Sequence, residues 1–184
     1  MAAHRLILAL AMVGAASVHA GTLPPPAYQL AAARAGIPAS VLFAIALQES
    51  GTPLRGNLMP WPWTLNVAGS PLRFARRDQA CAALREALSR HDPKRIDVGL
   101  GQTNLGYHPD RYASACDALD PRANLAVTAE LLRAHYDDTG DWVIAAGRYH
   151  RPAGGPPAAH YRRQFTRHWQ RVQPVATAPR RTQP

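Results

Sequence analysis

The sequence predicts a mainly α (α+β) fold in which a helical body carries a small β-hairpin lobe. Six stretches between residues 28 and 172 place apolar side chains at helical spacing, between residues that begin or end helices. The segment 52–71 differs, because it contains four prolines and two tryptophans. Its run 61–69 ends in strand-forming residues before a Gly-Ser turn, so we expect a short strand or hairpin after the second helix.

The 184 residues are enough for one domain with a substantial core, which we expect over residues 27–172. Residues 1–20 have the pattern of a secretory signal peptide: an arginine, an apolar run, and a small-residue cleavage site that ends at Ala20. The apolar run is too short for a convincing membrane span. Residues 21–26 form a proline-rich lead-in, and residues 173–184 predict a disordered tail.

The composition is strongly basic, with a formal net charge of +9 at pH 7. Such a surface favours a polyanionic partner. For an exported protein, the cell wall, an anionic membrane face or a secretion assembly is a better candidate than nucleic acid, for which the sequence has no recognition motif. The sequence has neither a phosphate-binding loop nor a metal-ligand spacing, so we expect no cofactor and no metal.

The two cysteines of the sequence, Cys81 and Cys116, both lie in the part expected to be exported. An even count in an oxidising compartment predicts one disulfide, and the alternative is two unpaired buried thiols. A disulfide between them would close a long loop and stabilise the fold.

The first helix is predicted over residues 28–35, ending at Gly36. The second is predicted between Pro38 and Gly51, because proline fits the first helical turn and glycine can adopt the left-handed conformation that closes a helix. Residues 41–47 are apolar on every face, which is typical of a buried central helix. Its last turn presents Gln48, Glu49 and Ser50.

Glu49 is the candidate catalytic residue. A carboxylate at this position meets the negative end of the helix dipole and an apolar surround, and both raise its pKa. A neutral carboxylic acid beside an apolar wall is suited to protonating a glycosidic oxygen. Taken alone, however, Glu49 is better explained as a solvated glutamate at a frayed helix end, so the other motifs decide its role.

A third helix is predicted over residues 74–90, with apolar and arginine side chains on opposite faces. Residues 96–98 have the pattern of a short strand that leads into a glycine-rich turn. Gly99 and Gly101, on either side of Leu100, favour a close backbone approach. Three more helices are predicted, over residues 122–136, 142–149 and 160–172.

The last of these helices carries an apolar stripe opposite four arginines. An aromatic stripe at helical spacing usually packs in a core, so we interpret the stripe as core and the arginines as solvated. The alternative is a basic surface for a membrane or a partner. The stripe consists of Tyr161, Phe165, Trp169 and Val172.

Four segments, taken in order, resemble the lytic transglycosylase domain of the soluble type, the SLT domain. They are an acid and a serine at the end of a buried helix, a Gly-Leu-Gly-Gln turn, a helix opened by Asp-Pro, and an alanine-rich stretch before a Pro/Gly loop. The resemblance covers about residues 27–172, and the segment 60–69 is similar to the specialised subfamily of conjugation and secretion systems. The four segments are Glu49-Ser50, 99–102, 120–125 and 145–150.

This resemblance implies a lysozyme-like fold with the β-hairpin lobe beside a catalytic cleft. It also implies periplasmic cleavage of the β-1,4 bond between N-acetylmuramic acid and N-acetylglucosamine of peptidoglycan, without water, leaving a 1,6-anhydromuramyl end. Glu49 would act first as acid and then as base. The partners would be glycan strands and components of a secretion or conjugation apparatus, for which the enzyme locally opens the wall.

The resemblance also implies substrate-binding residues, each with a plainer alternative. Gln102 and Asn104 would bind the sugar amides, or else cap their own turn. Tyr149 would hold Glu49 by a hydroxyl hydrogen bond, or else be an ordinary half-buried tyrosine. Ser50 would orient the acid, or else only end the helix. The turn 99–101 would approach the glycan closely, and Trp61 and Trp63 are candidates for stacking on a sugar or filling a small β core.

Two positions depart from the family pattern. Gly101 stands where the family usually has methionine, and His150 stands where it usually has asparagine. The methionine packing and the asparagine contact therefore do not carry over. We expect His150, His160 and His168 near the surface.

Asp97 is the candidate second carboxylate. If it faces Glu49 across the cleft, it can act as nucleophile, stabiliser or base, and the protein would be a hydrolytic muramidase. If it points away, it satisfies a loop at a strand end, which is the interpretation we favour.

A third hypothesis is a non-catalytic peptidoglycan-binding or scaffold module that uses its basic surface to recruit partners.

Overall fold

The computed structural model describes residues 22–172. The predicted signal peptide, its cleavage site and the predicted tail at 173–184 lie outside these described residues. The fold is mainly helical with small β-sheets, so the predicted α+β class is confirmed.

All of the predicted helices are present; five differ from their predicted bounds by at most three residues at either end, and the last begins at Gly155, five residues before its predicted start. The first helix ends at Gly36, as predicted, and Gly36 has the left-handed conformation (φ 65°). The side chains of Asp120 and Asp141 accept hydrogen bonds from backbone N–H groups and cap the two helices that follow them. The helices are α1 (Pro26–Ala35), α2 (Ala39–Ser50), α3 (Arg77–Arg90), α4 (Pro121–Thr139), α5 (Trp142–His150) and α6 (Gly155–Val172).

The prediction that Gly51 closes α2 in the left-handed conformation is wrong. Gly51 has φ −54° and ψ 126°, and it begins a strand directly. Glycine is required for another reason: a Cβ there would collide with the carbonyl oxygen of Leu47 and approach the Leu58 side chain to 3.1 Å. The chain therefore turns sharply out of α2, immediately after Glu49 and Ser50.

The region after α2 forms two successive hairpins, where the sequence predicted one strand or hairpin. The first pairs β1 with β2, and the second pairs β3 with β4 in a larger antiparallel sheet of order β4-β3-β5-β6. The register places Asn66 opposite Asp97 and Asp97 opposite Asn104. The strands are β1 (Gly51–Leu54), β2 (Asn57–Pro60), β3 (Thr64–Val67), β4 (Ser70–Arg73), β5 (Ile96–Val98) and β6 (Thr103–Asn104).

Helix α2 is the centre of the larger hydrophobic core, as its apolar sequence predicts. Side chains of α1, α4, α5 and α6 surround it, and we call this part the helical lobe. The predicted stripe of α6 packs here: Phe165 is fully buried and its ring stacks on that of Trp169. Burial of this many apolar side chains is the main source of stability for the fold.

A second core lies between α3 and the larger sheet, and we call this part the β lobe. Its buried side chains include Leu65, Leu84, Ile96 and Val98. A disulfide joins Cys81 of α3 to Cys116, with a Cα–Cα distance of 5.3 Å. The cross-link ties α3 to the short turn that precedes α4.

Within residues 22–172, no single helix is long and apolar enough to cross a membrane. Helices α1 and α2 together have sufficient length and apolar character, but they are bent by 117°. The apolar side chains of α2 lie in the core of the helical lobe.

Candidate active site

A cleft of about 880 Å³ is lined by residues of both lobes. The β lobe supplies mainly polar groups from β3 to β6, and the helical lobe supplies the end of α2 and parts of α4 and α5. Its lining includes Glu49, Thr64, Asn66, Arg73, Asp97, Gln102, Asn104, His108, Leu131, His135, Tyr149, His150 and Arg151.

Glu49 lies at the end of α2, half-buried, where the core of the helical lobe meets the cleft. The Tyr161 hydroxyl donates a hydrogen bond of 2.6 Å to Glu49 Oε1. Burial raises the pKa of Glu49 to about 7; the Tyr161 hydrogen bond opposes this increase, and the charge of Asp97 adds to it. The carboxyl group is therefore extensively protonated near neutral pH and can both donate and accept a proton.

The predicted hydrogen bond from Tyr149 to Glu49 is wrong. The Tyr149 hydroxyl donates to the carbonyl oxygen of Gly101 at 2.6 Å, so it fixes the glycine turn. Tyr161 of α6 holds the acid in its place. The sequence pattern did not single out Tyr161 as a site residue, because Tyr161 is one member of a core stripe. The available signal was its hydroxyl, which needs a partner when the ring is buried.

Asp97 lines the same cleft as Glu49, so the interpretation we favoured, in which it points away, is wrong. The Asn104 amide donates to Asp97 Oδ1 at 2.8 Å. Burial raises the pKa of Asp97, while the Asn104 hydrogen bond and the nearby His150 oppose the rise. The cleft thus contains two carboxyl groups, one from each lobe.

His150 is exposed, as predicted, and lines the cleft at the end of α5. Its ring stacks on the Tyr161 ring, with centroids 4.5 Å apart and planes within 8°. Burial and the charge of Arg151 lower the pKa of His150, and Asp97 opposes that change. The His150 imidazole therefore covers the ring of Tyr161, which binds Glu49. It is also close enough to Asp97 for the two charges to interact.

Ser50 is not a substrate-binding residue. It is fully buried, and its hydroxyl lies 3.0 Å from the Ala46 carbonyl oxygen and 2.8 Å from that of Leu100. It therefore joins the end of α2 to the glycine turn. This contact fixes the position of Glu49 relative to β5 and the turn after it.

The glycine turn approaches α4 and not the cleft, which corrects the expectation that residues 99–101 contact the glycan. Gly99 has φ 80°, and a Cβ there would lie 2.6 Å from the Asn124 side chain. A Cβ at Gly101 would collide with the Thr128 side chain. Leu100 is buried in the core of the helical lobe. The glycine at 101 is therefore explained by packing against α4.

Asn124 is the buried residue that organises this turn, and the sequence analysis missed it. Its Oδ1 accepts a 2.8 Å hydrogen bond from the Gly101 N–H, and its amide nitrogen donates to the Val98 and Ala118 carbonyl oxygens at 2.9 and 3.0 Å. A buried amide with its partners satisfied specifies one arrangement of the surrounding backbone. The signal was an asparagine on the apolar face of α4.

Gln102 and Asn104 both line the cleft, but they differ in which side-chain atoms remain available for a ligand. Gln102 Nε2 donates to the Gly99 carbonyl oxygen at 2.9 Å, and within residues 22–172 its Oε1 accepts no hydrogen bond. Both side-chain atoms of Asn104 are engaged, because it donates to Lys94 and Asp97 and accepts from Gly106 and Tyr107. Asn104 thus orients Asp97 and caps its own turn, against the prediction that it binds sugar amides.

Asn66 is a cleft residue that the sequence analysis did not select. Its Oδ1 is buried and has no hydrogen-bond partner within the described part of the chain. A buried acceptor without a partner is unfavourable, and a ligand N–H group would satisfy it. Asn66 lies opposite Asp97 in the sheet, so this free acceptor is beside the second carboxyl group.

Trp63 packs against the core of the β lobe and does not line the cleft, so of its two alternatives the core role is confirmed and the substrate-binding role is wrong. Trp61 and Trp63 form an edge-to-face pair with centroids 6.0 Å apart, and the Trp61 indole donates to the Phe74 carbonyl oxygen at 2.8 Å. The two rings therefore support the hairpins beside the cleft.

Among residues 22–172, no group of three or more His, Cys, Asp or Glu side chains is arranged to hold a metal ion. The chain matches no protein-family model, no curated protein and no solved structure.

Proposed function

We propose that this protein is an exported peptidoglycan lytic transglycosylase that cleaves the bond between N-acetylmuramic acid and N-acetylglucosamine and leaves a 1,6-anhydromuramyl end. The observation that carries the proposal is the state of Glu49: a carboxyl group at the end of a buried helix, in a large cleft, with a pKa of about 7. The order of the SLT-like motifs supports the same assignment.

Glu49 supplies both proton transfers of the proposed reaction. Its neutral form donates the proton to the glycosidic oxygen as the bond from that oxygen to the anomeric carbon breaks. The substrate's own N-acetyl group stabilises the positive charge at the anomeric carbon, so no protein nucleophile is needed. The C6 hydroxyl then attacks that carbon and returns its proton to the Glu49 carboxylate, which regenerates the acid.

The free acceptors of the cleft suit a glycan whose sugars carry acetamido groups. Asn66 Oδ1 and Gln102 Oε1 line the cleft and accept no hydrogen bond within residues 22–172. Each can accept a hydrogen bond from an acetamido N–H group. Both lie on the side of the cleft that also carries Asp97.

We propose a periplasmic location and a role in opening the wall for a secretion or conjugation apparatus. The location rests on the predicted signal peptide, and the Cys81–Cys116 disulfide is consistent with an oxidising compartment. The role rests on the resemblance to the specialised subfamily. The basic composition suits a partner with negative charge, such as the wall.

The test is product analysis on purified peptidoglycan. The protein from Gly21 onward is expected to release muropeptides with anhydromuramyl ends, detected by mass spectrometry, and Glu49→Gln is expected to release none. Binding to peptidoglycan with no products from the unmodified protein would contradict the proposal and favour the scaffold hypothesis.

A second candidate function is a hydrolytic muramidase, favoured by the presence of Asp97 in the same cleft as Glu49. In that reaction, Asp97 would stabilise or bond the anomeric carbon, or activate a water molecule. It predicts products with hydrated, reducing muramic acid ends. We prefer the transglycosylase because Asp97 is engaged by Asn104 in its own turn.

A further inference from the structure

Two arginines of the cleft lining, Arg73 and Arg151, have no acidic partner among residues 22–172. Arg73 ends β4 in the β lobe, and Arg151 directly follows α5 in the helical lobe. Within residues 22–172, the arginines that form ion pairs with carboxylates lie elsewhere, at positions 76, 77, 90, 111, 133 and 148. Each lobe therefore contributes one unneutralised guanidinium to the cleft.

The Arg73 guanidinium is held in place by neutral acceptors. Its Nε donates to the Thr52 hydroxyl at 2.8 Å, and one terminal nitrogen donates to the Gly51 carbonyl oxygen at 3.4 Å. These contacts fix the side chain beside the segment that follows Glu49. A guanidinium has five N–H donors, so Arg73 retains donors for a ligand.

The Arg151 side chain is exposed and forms no hydrogen bond within the described part of the chain. Its backbone is engaged: the N–H donates to the Gly147 carbonyl oxygen, and the carbonyl oxygen accepts from the Gly154 N–H. It lies next to His150, whose ring is stacked on Tyr161. Substitution of Arg151 therefore removes a charge from the cleft without removing a contact that supports the fold.

The acids of the cleft do not neutralise these two arginines. Glu49 is bound by Tyr161, and Asp97 is bound by Asn104. An unpaired guanidinium at a binding site prefers a carboxylate, because two parallel hydrogen bonds and a charge are satisfied together. A neutral glycan has no negative group to pair with either guanidinium.

We propose that Arg73 and Arg151 form a binding site for the carboxylate borne by the O3 substituent of muramic acid, so that this enzyme selects muramic acid by its charge. This rests on the proposed function. The carboxylate has two sources: the lactyl group of a bare strand, or the stem peptide attached to that group. Glycans made only of N-acetylglucosamine have neither.

The test measures binding in the Glu49→Gln background, which prevents turnover. Three soluble glycans of equal length are compared: a neutral N-acetylglucosamine oligomer, a muramyl strand stripped of peptides, and a strand that retains its stem peptides. The further variants are Arg151→Gln, Arg151→Lys, Arg73→Gln and, as a control, Arg85→Gln. Arg85 is also exposed and forms no ion pair with another described residue, but it lies on α3 and does not line the cleft.

Arg151→Gln is expected to weaken binding of a carboxylate-bearing strand about tenfold more than binding of the neutral oligomer. Arg73→Gln should have the same direction of effect, Arg151→Lys should restore part of the affinity, and Arg85→Gln should change the three affinities alike. Added salt should reduce the difference. A selective loss on stripped strands identifies the lactyl carboxylate as the ligand, and a loss only on peptide-bearing strands identifies the stem peptide.

An equal loss on neutral and acidic glycans, or no loss on either acidic strand, would overturn the proposal. This binding assay is independent of cleavage. If the unmodified protein cleaves peptidoglycan but Arg151→Gln shows no charge-selective loss, only this inference fails. If it cleaves nothing while the charge-selective loss is observed, the lytic function fails and carboxylate binding remains.

Discussion

The two carboxyl groups of the cleft belong to different environments. Glu49 ends a buried helix, and a phenol hydroxyl from α6 is its side-chain donor within the described residues. Asp97 lies on a short strand between two polar neighbours, with the Asn104 amide as donor and His150 nearby. Burial raises the pKa of both, and it brings the pKa of Glu49 to about 7.

This contrast indicates how two acids in one cleft are given different roles. The apolar surroundings of Glu49 favour its neutral form, which is the form that donates a proton. The amide donor and the imidazole near Asp97 oppose the rise in its pKa that burial causes, so its surroundings are more polar than those of Glu49. In the reaction we propose, the helical lobe supplies proton transfer through Glu49, and the β lobe contributes Asp97.

The largest effect is expected for Glu49→Gln, which removes the proton donor but keeps the shape of the side chain and an acceptor for Tyr161. The rate of peptidoglycan cleavage should fall by about a thousandfold or more, because both proton transfers are lost. Solubilisation of labelled peptidoglycan measures it. A loss below about tenfold would mean that Glu49 is not the acid.

The same substitution should stabilise the protein above neutral pH. The pKa of Glu49 is higher in the folded protein, at about 7, than the ordinary glutamate value of 4.5. Its favourable contribution is therefore full below about pH 4.5 and is lost as the pH rises through about 7. At pH 8, Glu49→Gln should raise the free energy of unfolding by at most about 3 kcal/mol.

Urea unfolding at pH 5 and pH 8 measures this gain. The exposed Glu86→Gln, which alters a surface ion pair, should change the free energy of unfolding by less than about 1 kcal/mol at both pH values. A Glu49→Gln protein that is no more stable than the unmodified protein at pH 8 would contradict the raised pKa.

A smaller effect is expected for Asp97→Asn. If Asp97 acts only by stabilising the positive charge that develops on the sugar, cleavage should slow by about tenfold. Because the charge of Asp97 raises the pKa of Glu49, its removal should also move the alkaline limb of the pH–rate profile to lower pH. The control is Asp110→Asn, outside the cleft lining. A loss as large as that of Glu49→Gln would favour the muramidase.

The smallest effect is expected for Tyr161→Phe, which should shift the pH–rate profile in the direction opposite to that expected for Asp97→Asn. The Tyr161 hydrogen bond lowers the pKa of Glu49, so its removal should move the alkaline limb to higher pH, by up to about one pH unit. Tyr28→Phe, in the same core but without a contact to Glu49, is the control and should leave the limb unchanged. A shift to lower pH would contradict the positioning role of Tyr161.

The sequence predicted those features that depend on local rules. The apolar run of α2, the helix opened by Asp120-Pro121 and the end of α1 at Gly36 are each determined by residues close in the chain. They were sufficient to predict the helices and the position of Glu49 at the end of α2. The disulfide followed from the cysteine count, without geometry.

The residues that surround and position Glu49 could not be predicted, because they come from segments that are distant in the chain. Tyr161 is 112 residues from Glu49, and Asn124 is 23 residues from Gly101. A tyrosine that only packs in the core and a tyrosine whose hydroxyl also binds a carboxyl group have the same sequence pattern. The orientation of Asp97 likewise depended on the pairing of β5 with β3 and β6.

The most direct test of the central claim is cleavage of peptidoglycan in water labelled with heavy oxygen. If Glu49 alone performs both proton transfers and the C6 hydroxyl is the nucleophile, the new muramic acid ends will be anhydro ends without label. Incorporation of one labelled oxygen at each new muramic acid end would contradict the account and assign the reaction to hydrolysis with Asp97.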